Sequence, residues 1–314
     1  MKIGLIGFWV LLCTGSIVVK GFASGKGEVV HTQTIPLHRV STLSVAYTAS
    51  TIQVRTGEPD VFVLKEYMSQ NTEALKATYS HENGNLVITG GRRGIGLGQT
   101  PEIVLAIPPA FSGNLLLSLE SGNLSIETSL ISAGTIQINH KNGTLEMGLI
   151  RGEDIHITHA SGTFMASNLE ASGTCILNLT SGTGTVHEIR SNTSTVTVIS
   201  GSLAIPVSTG RGSYTVTSGT ITLGKHLLSG NMALEAVSGT IEMGIPVDGV
   251  YRIDASATSG QVIETSGTVE NVLVFSPMGS TTPTVKQAII GQPGIAPQYA
   301  ITAKACAGSI IFSR

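Results

Sequence analysis

The sequence predicts an all-β protein, a single-stranded β-solenoid (β-helix) with about 20 residues per coil and an N-terminal β cap. Three observations carry that prediction. A Ser-Gly-Thr-like stretch recurs with its glycine at 122, 143, 162, 182, 201, 219, 239 and 260, at intervals of 21, 19, 20, 19, 18, 20 and 21 residues. Around each glycine, apolar and polar residues alternate with the period of two that belongs to strands. The composition also suits a turn-rich strand protein, with 38 glycines, one tryptophan and only 12% charged residues.

Aligning the eight repeats on their glycines separates inward from outward columns. Two residues after the glycine stand Leu124, Leu145, Phe164, Gly184, Leu203, Ile221, Ile241 and Val262, and five before it stand Leu117, Ile138, Ile157, Leu177, Val196, Tyr214, Leu234 and Ala255. A third column, four after the glycine, is apolar from Ile126 through Met243. These positions fill the core, while the Ser, Thr, Glu and Gln between them face water. Second turn signals at Gly134, Gly152, Gly173, Gly212, Gly230 and Gly249 divide each repeat into two strands. Glycine at the corner supplies a positive φ where the chain bends.

The ends read differently. Residues 24–112, with alternating runs at 42–47, 51–57, 60–67, 75–91 and 102–111, form the N-terminal cap and first strands; a short helix at 66–78 is the alternative there. The glycine-rich stretch at 90–99 has no helix after it and is a loop rather than a dinucleotide site. Repeats occupy 113–275. Residues 276–314 are a Pro, Gly and Thr-rich loop followed by a strand that closes the far end, with Ala307-Gly308-Ser309-Ile310 resembling the turn unit.

Residues 1–23 read as a secretory signal: Lys2, an apolar run from Ile3 to Val19, and the small-residue site ending at Ala23. Cys13 follows Leu12, where a lipoprotein signal wants a small residue. Cleavage removes Lys2 and Lys20, taking the formal charge from −2 to −4 and leaving no membrane span. The protein is thus expected to be secreted, periplasmic or on a bacterial cell surface. Its charge offers no basic field for nucleic acid. Cys175 and Cys306 fall about six coils apart, too far for a disulfide.

Catalytic chemistry finds no support in the columns. The residue before the glycine is Ser in seven repeats and Asn142 in the eighth, and repetition of that kind belongs to structure rather than to one nucleophile. Glu146 and Glu242 share a column five coils apart, about 24 Å at ~4.8 Å per coil, and cannot act as a glycosidase pair. Three before the glycine, His140 and His159 interrupt an apolar column on adjacent coils and should stack about 5 Å apart. They are the metal-ligand candidates, but a site needs further ligands, and His156 points outward. Catalytic residues and cofactors are therefore expected to be none.

The signal segment, "TIQVRTGEPD" with the hairpin after it, "PEIVLAIPPAFSGNLLLSLESGNLSIE" and the serial Ser-Gly-[Thr/Asn] units together resemble the bacterial putative-adhesin family of β-strand repeats, a family of unknown function. The resemblance covers about residues 30–275 and implies surface adhesion without functional residues to carry over. The expected function is an exported, non-enzymatic, adhesin-like binding or structural protein whose partner is an extracellular or envelope glycan or protein. The alternatives are a carbohydrate-active β-helix enzyme, lyase or hydrolase, and a ligand-binding module.

Overall fold

From coil to coil of the repeats, parallel pairing advances by 18 to 21 residues per step, as in Leu115↔Ile136, Ile136↔Ile155, Thr163↔Thr183 and Ser202↔Thr220. The computed structural model describes residues 28–91, 101–127, 130–131, 134–244, 250–264, 284–290 and 296–313. The signal segment 1–23, most of the glycine-rich stretch and residues 265–283 lie outside them. One sheet ladder of 19 strands wraps the solenoid, and single elements such as Ile155–Leu179 run through more than one coil. The alternative helix at 66–78 is replaced by the strand Val61–Met68 and one 3-10 turn, Glu73–Leu75.

Each coil has three arms, where the sequence suggested two strands. Arm A precedes the glycine corner, arm B follows it, and arm C follows a second corner. In the coil that begins at Ile155, arm A buries Ile155, Ile157 and His159, arm B buries Phe164 and Ala166, and arm C buries Leu169 and Ala171. The spacing from Ala166 to Leu169 is odd, and a straight strand would turn Leu169 outward. The ladder pairs skip the same place, passing from Ala166↔Val186 to Asn168↔Glu188. The chain therefore bends at Ser167, and the equivalent bend falls at Pro206 one coil beyond the next, between the pairs Ile205↔Leu223 and Val207↔Lys225.

The columns assigned to the core are buried along the whole stack. Ile138, Ile157, Leu177, Val196, Tyr214 and Leu234 are all 1% exposed or less, so each coil covers the apolar floor of the next. At the glycine corner the controlling fact is close approach. A Cβ on Gly143 would lie 1.9 Å from the Gly122 carbonyl oxygen, and one on Gly219 would lie 1.9 Å from that of Gly201. Positive φ holds at Gly122, Gly143, Gly162 and Gly182 of this column, so backbone conformation explains only part of it.

Both ends are threaded out of chain order. The strand Thr42–Thr56 is itself a coil, with Leu43 on Leu115, Ser50 on Gly122 and Ile52 on Leu124. Asn85–Thr89 and Glu102–Ile107 stack on its other side, although they come later in the chain. At the far end, Tyr299–Ala305 and Ser309–Ser313 lie between the coil at 232–244 and the coil at 251–264. The expectation that this C-terminal strand closes the far end is corrected: Gly308 enters the glycine column between Gly239 and Gly260. Among the described residues the outermost place on arm A belongs to the antiparallel strand Thr284–Ile290.

Candidate functional site

The serine column before the glycine is a structural ladder. Ser181 donates its Oγ–H to the Ala160 carbonyl, Ser200 to Thr180, Ser218 to Ile199 and Ser259 to Cys306, each at 3.0 Å. The backbone N–H of each of these serines reaches the same carbonyl. Asn142 substitutes by donating Nδ2–H to the Glu120 carbonyl at 3.3 Å. Every hydroxyl proton in this set is committed to the coil below.

His140 and His159 are brought together as expected. Their rings stack with centroids 5.0 Å apart and planes at 17°, and both are essentially inaccessible to solvent. The His140 Nε2–H donates to the Gly122 carbonyl at 3.1 Å, which leaves its Nδ1 as the acceptor for the His159 Nδ1–H at 3.0 Å. His159 Nε2 is then a buried lone pair without a partner. Burial, with the neighbouring His140 second, holds the His159 pKa down at about 4, and burial likewise lowers that of His140. Among the described residues no three His, Cys, Asp or Glu side chains gather as a metal would require.

A second polar cluster was not singled out from the sequence. Ser208 donates to Nδ1 of His226 at 2.5 Å, and His226 Nε2–H donates to the Gly210 carbonyl at 3.2 Å. The polarity suits a nucleophile and its base, but both residues are 1% exposed and lie inside the solenoid. Tyr214 meets His226 edge-on, and its buried hydroxyl lies beside the Ser208 and Ser194 hydroxyls. Burial lowers the His226 pKa to about 4 and raises those of Tyr214 and Cys175 to about 12. Ser208 and His226 occupy the arm C column below Ile189, and a reading with two strands per coil has no such column.

In the cap, Glu66 is fully buried and accepts from Ala77 N–H at 2.8 Å and from the Tyr47 hydroxyl at 3.3 Å. His31 Nδ1 also lies 2.8 Å from its carboxylate. Strand alternation from Phe62 through Leu64 already pointed Glu66 inward. The carboxylates considered for catalysis stay apart: Glu146 and Glu242 are separated by Met165, Thr185, Ala204 and Thr222 in one column. Asp154 accepts the Thr174 N–H at 2.7 Å, a turn contact. Cys175 and Cys306 are both free thiols.

One hollow of about 350 Å³ lies on the outer side of the cap, floored by Val63, Val104 and Ala106 and rimmed by Arg55, Lys65 and Glu58. Glu58 is the single carboxylate among its lining residues, so the hollow lacks the acid pair that glycoside hydrolysis needs.

The Toastrack DUF4097 family model matches residues 42–272. A protein called a putative adhesin from Parabacteroides distasonis ATCC 8503 is similar in structure with a TM-score of 0.49 and 12% identity, over 92% of this chain and 98% of that one. Another so called, from Parabacteroides merdae ATCC 43184, has a TM-score of 0.45 and 11% identity, over 90% of this chain and 96% of that one. No curated protein matches the chain in sequence.

Proposed function

The chain belongs to the Toastrack DUF4097 family, and from that premise we propose that it is an exported, non-enzymatic β-solenoid that acts as an adhesin-like binding or structural protein at the cell surface or in the periplasm. One observation carries the proposal. The buried polar side chains of the coils are spent on holding them together, while the outer surface repeats itself rung after rung. His140, His159, Ser208 and His226 are buried and hydrogen-bonded within the stack, and the serines of the corner are tied to the coil beneath. What remains accessible is a long repeated face, which suits binding by many equivalent contacts.

Export rests on the apolar segment at 3–19 and the Ala23 cleavage site. Among the described residues no helix is long and apolar enough to cross a membrane. The partner is an extracellular or envelope glycan or protein.

The test is binding of the purified mature protein to panels of matrix proteins and glycans, together with surface attachment by a deletion strain. The proposal expects a retained ligand and reduced attachment restored by complementation. Unchanged attachment with no retained ligand overturns it, and turnover of a polysaccharide would move the protein to the enzymes.

A further inference from the structure

The solenoid separates its charges. Between residues 155 and 223 the chain carries four charged side chains, Glu170, Glu188, Arg190 and Arg211. The first three lie on arm C or at the corner that opens it, and Arg211 lies in the turn that follows. They are also largely used: Arg151 reaches Glu170 at 2.5 Å, Arg190 reaches Glu188 at 2.7 Å, and Arg211 donates to Thr193 at 2.8 Å. Over the same coils the outward positions of arms A and B bear no Asp, Glu, Lys or Arg, with His156 on arm A, and many bear hydroxyls or amides, as at Thr158, Asn178, Thr197 and Thr215 on arm A.

At the corner between arms A and B, the column directly after the glycine keeps this character the full length of the stack, while Glu120 and Lys141 form an ion pair on the other flank in the first two coils. The column runs Asn123, Thr144, Thr163, Thr183, Ser202, Thr220, Thr240, Ser309 and Gln261 in continuous register. Nine rungs at ~4.8 Å make a rail about 38 Å long. On the other flank of the glycine, the serines have given their protons to the coil below, so the oxygen lone pairs they show to solvent are acceptors.

We infer that this rail and its flanking faces are a binding surface for an uncharged polysaccharide lying along the solenoid axis. The chemistry selects that class. Between residues 155 and 223 a face without lysine or arginine has no attraction for phosphate or uronate polymers, and one without carboxylates has none for basic partners; toward the ends Glu146, Glu235, Glu242 and Lys304 add charge to the flanks, so the central coils carry the selectivity. Protein partners are anchored by buried Trp, Tyr and Arg; here Phe164 and Tyr214 are buried in the core and the arginines sit on the other side. Rows of acceptor oxygens and Thr hydroxyls suit a ligand rich in hydroxyl donors, and a surface that repeats every coil suits a ligand that repeats. Each contact is weak, and their number supplies the retention. This inference rests on the adhesive reading and names the partner within it.

The test measures retention of the purified mature chain on amorphous cellulose, chitin and insoluble starch, with pectate and a fibronectin-coated surface as acidic and protein arms. At least one neutral polymer should retain it, and retention should be the same at low and high salt because no ion pair contributes. The double variant Thr163→Lys/Ser202→Lys, two rungs apart, should weaken retention about tenfold or more. Thr163→Val/Ser202→Val, which keeps shape and strand preference, should weaken it several-fold. Asn168→Lys/Leu227→Lys on the arm C side should leave it unchanged. Retention only on pectate, retention lost in salt, or rail variants that bind like the wild type would overturn the inference. A chain that binds fibronectin but no neutral polymer keeps the adhesive reading and removes this one; a chain retained by nothing in this set or in the wider panels removes both.

Discussion

Replacing Gly219 by alanine isolates the close approach between coils from backbone conformation, because Gly219 is not among the glycines with positive φ. The new Cβ would sit 1.9 Å from the Gly201 carbonyl oxygen, whereas real Cβ contacts stay beyond 3.0 Å, so the two coils must part by about 1 Å there. That carbonyl accepts the Thr220 N–H at 2.9 Å, and the same displacement breaks the bond. Losing it costs about 1 kcal/mol, and the forced separation of packed coils about 1–3 kcal/mol more, giving a total of about 2–4 kcal/mol. Gly134→Ala is the comparison: its Cβ meets first the tip of the Asn114 side chain, which can swing away at the loss of the exposed bond it accepts from the Thr135 N–H at 2.9 Å, and the cost should be about 1 kcal/mol. Urea unfolding of both variants, followed by circular dichroism, reads the difference as a shift in midpoint. If Gly219→Ala and Gly134→Ala unfold within about 0.5 kcal/mol of each other, the glycine column does not set the coil spacing.

Three further outcomes follow from the buried polar groups and the threading. His159 and His226 have native pKa values near 4 against about 6.5 when unfolded, so stability is full above about pH 6.5 and falls as the pH drops toward 4, by up to about 3 kcal/mol for each. The double variant His140→Leu/His159→Leu, which restores the apolar rule of its column, should therefore lose less melting temperature between pH 7 and pH 5 than the wild type does. Glu66→Ala leaves the Ala77 N–H and the Tyr47 hydroxyl without their buried acceptor and should cost about 2–4 kcal/mol, detected as faster hydrogen exchange confined to the cap. Removing residues 296–314 withdraws the strands that join the coil at 251–264 to the coil at 232–244, so limited proteolysis should strip the chain back to about residue 244 while the central coils persist.

The columns beside each glycine were readable because a strand core imposes period two and every coil repeats the same demand; Phe164, Val196 and Ile241 stand where the alignment put them. The His140 and His159 stack was readable for the same reason, since residues sharing a column on adjacent coils must touch. Arm C was lost in reading because it is short and begins after a bend at which alternation slips by one, so that Leu169 and Ile189 fall out of phase with Ala166 and Val186. Without that arm, Ser208 and His226 had no reason to meet. The end threading lies beyond any local pattern. Whether Ser50 stacks on Gly122, or Gly308 on Gly239, is decided by pairing across tens of residues, and in the first case a serine occupies the glycine column.

The central claim is that function is spread along the coils instead of residing in one pocket. Deleting residues 183–201 removes one whole coil and joins Gly182 to Ser202, which already stand in matching columns. The shortened chain should stay folded by circular dichroism and show a partial, few-fold loss of retention on whichever surface holds the wild-type protein. Unchanged retention, or its complete loss from a folded chain, would contradict the account.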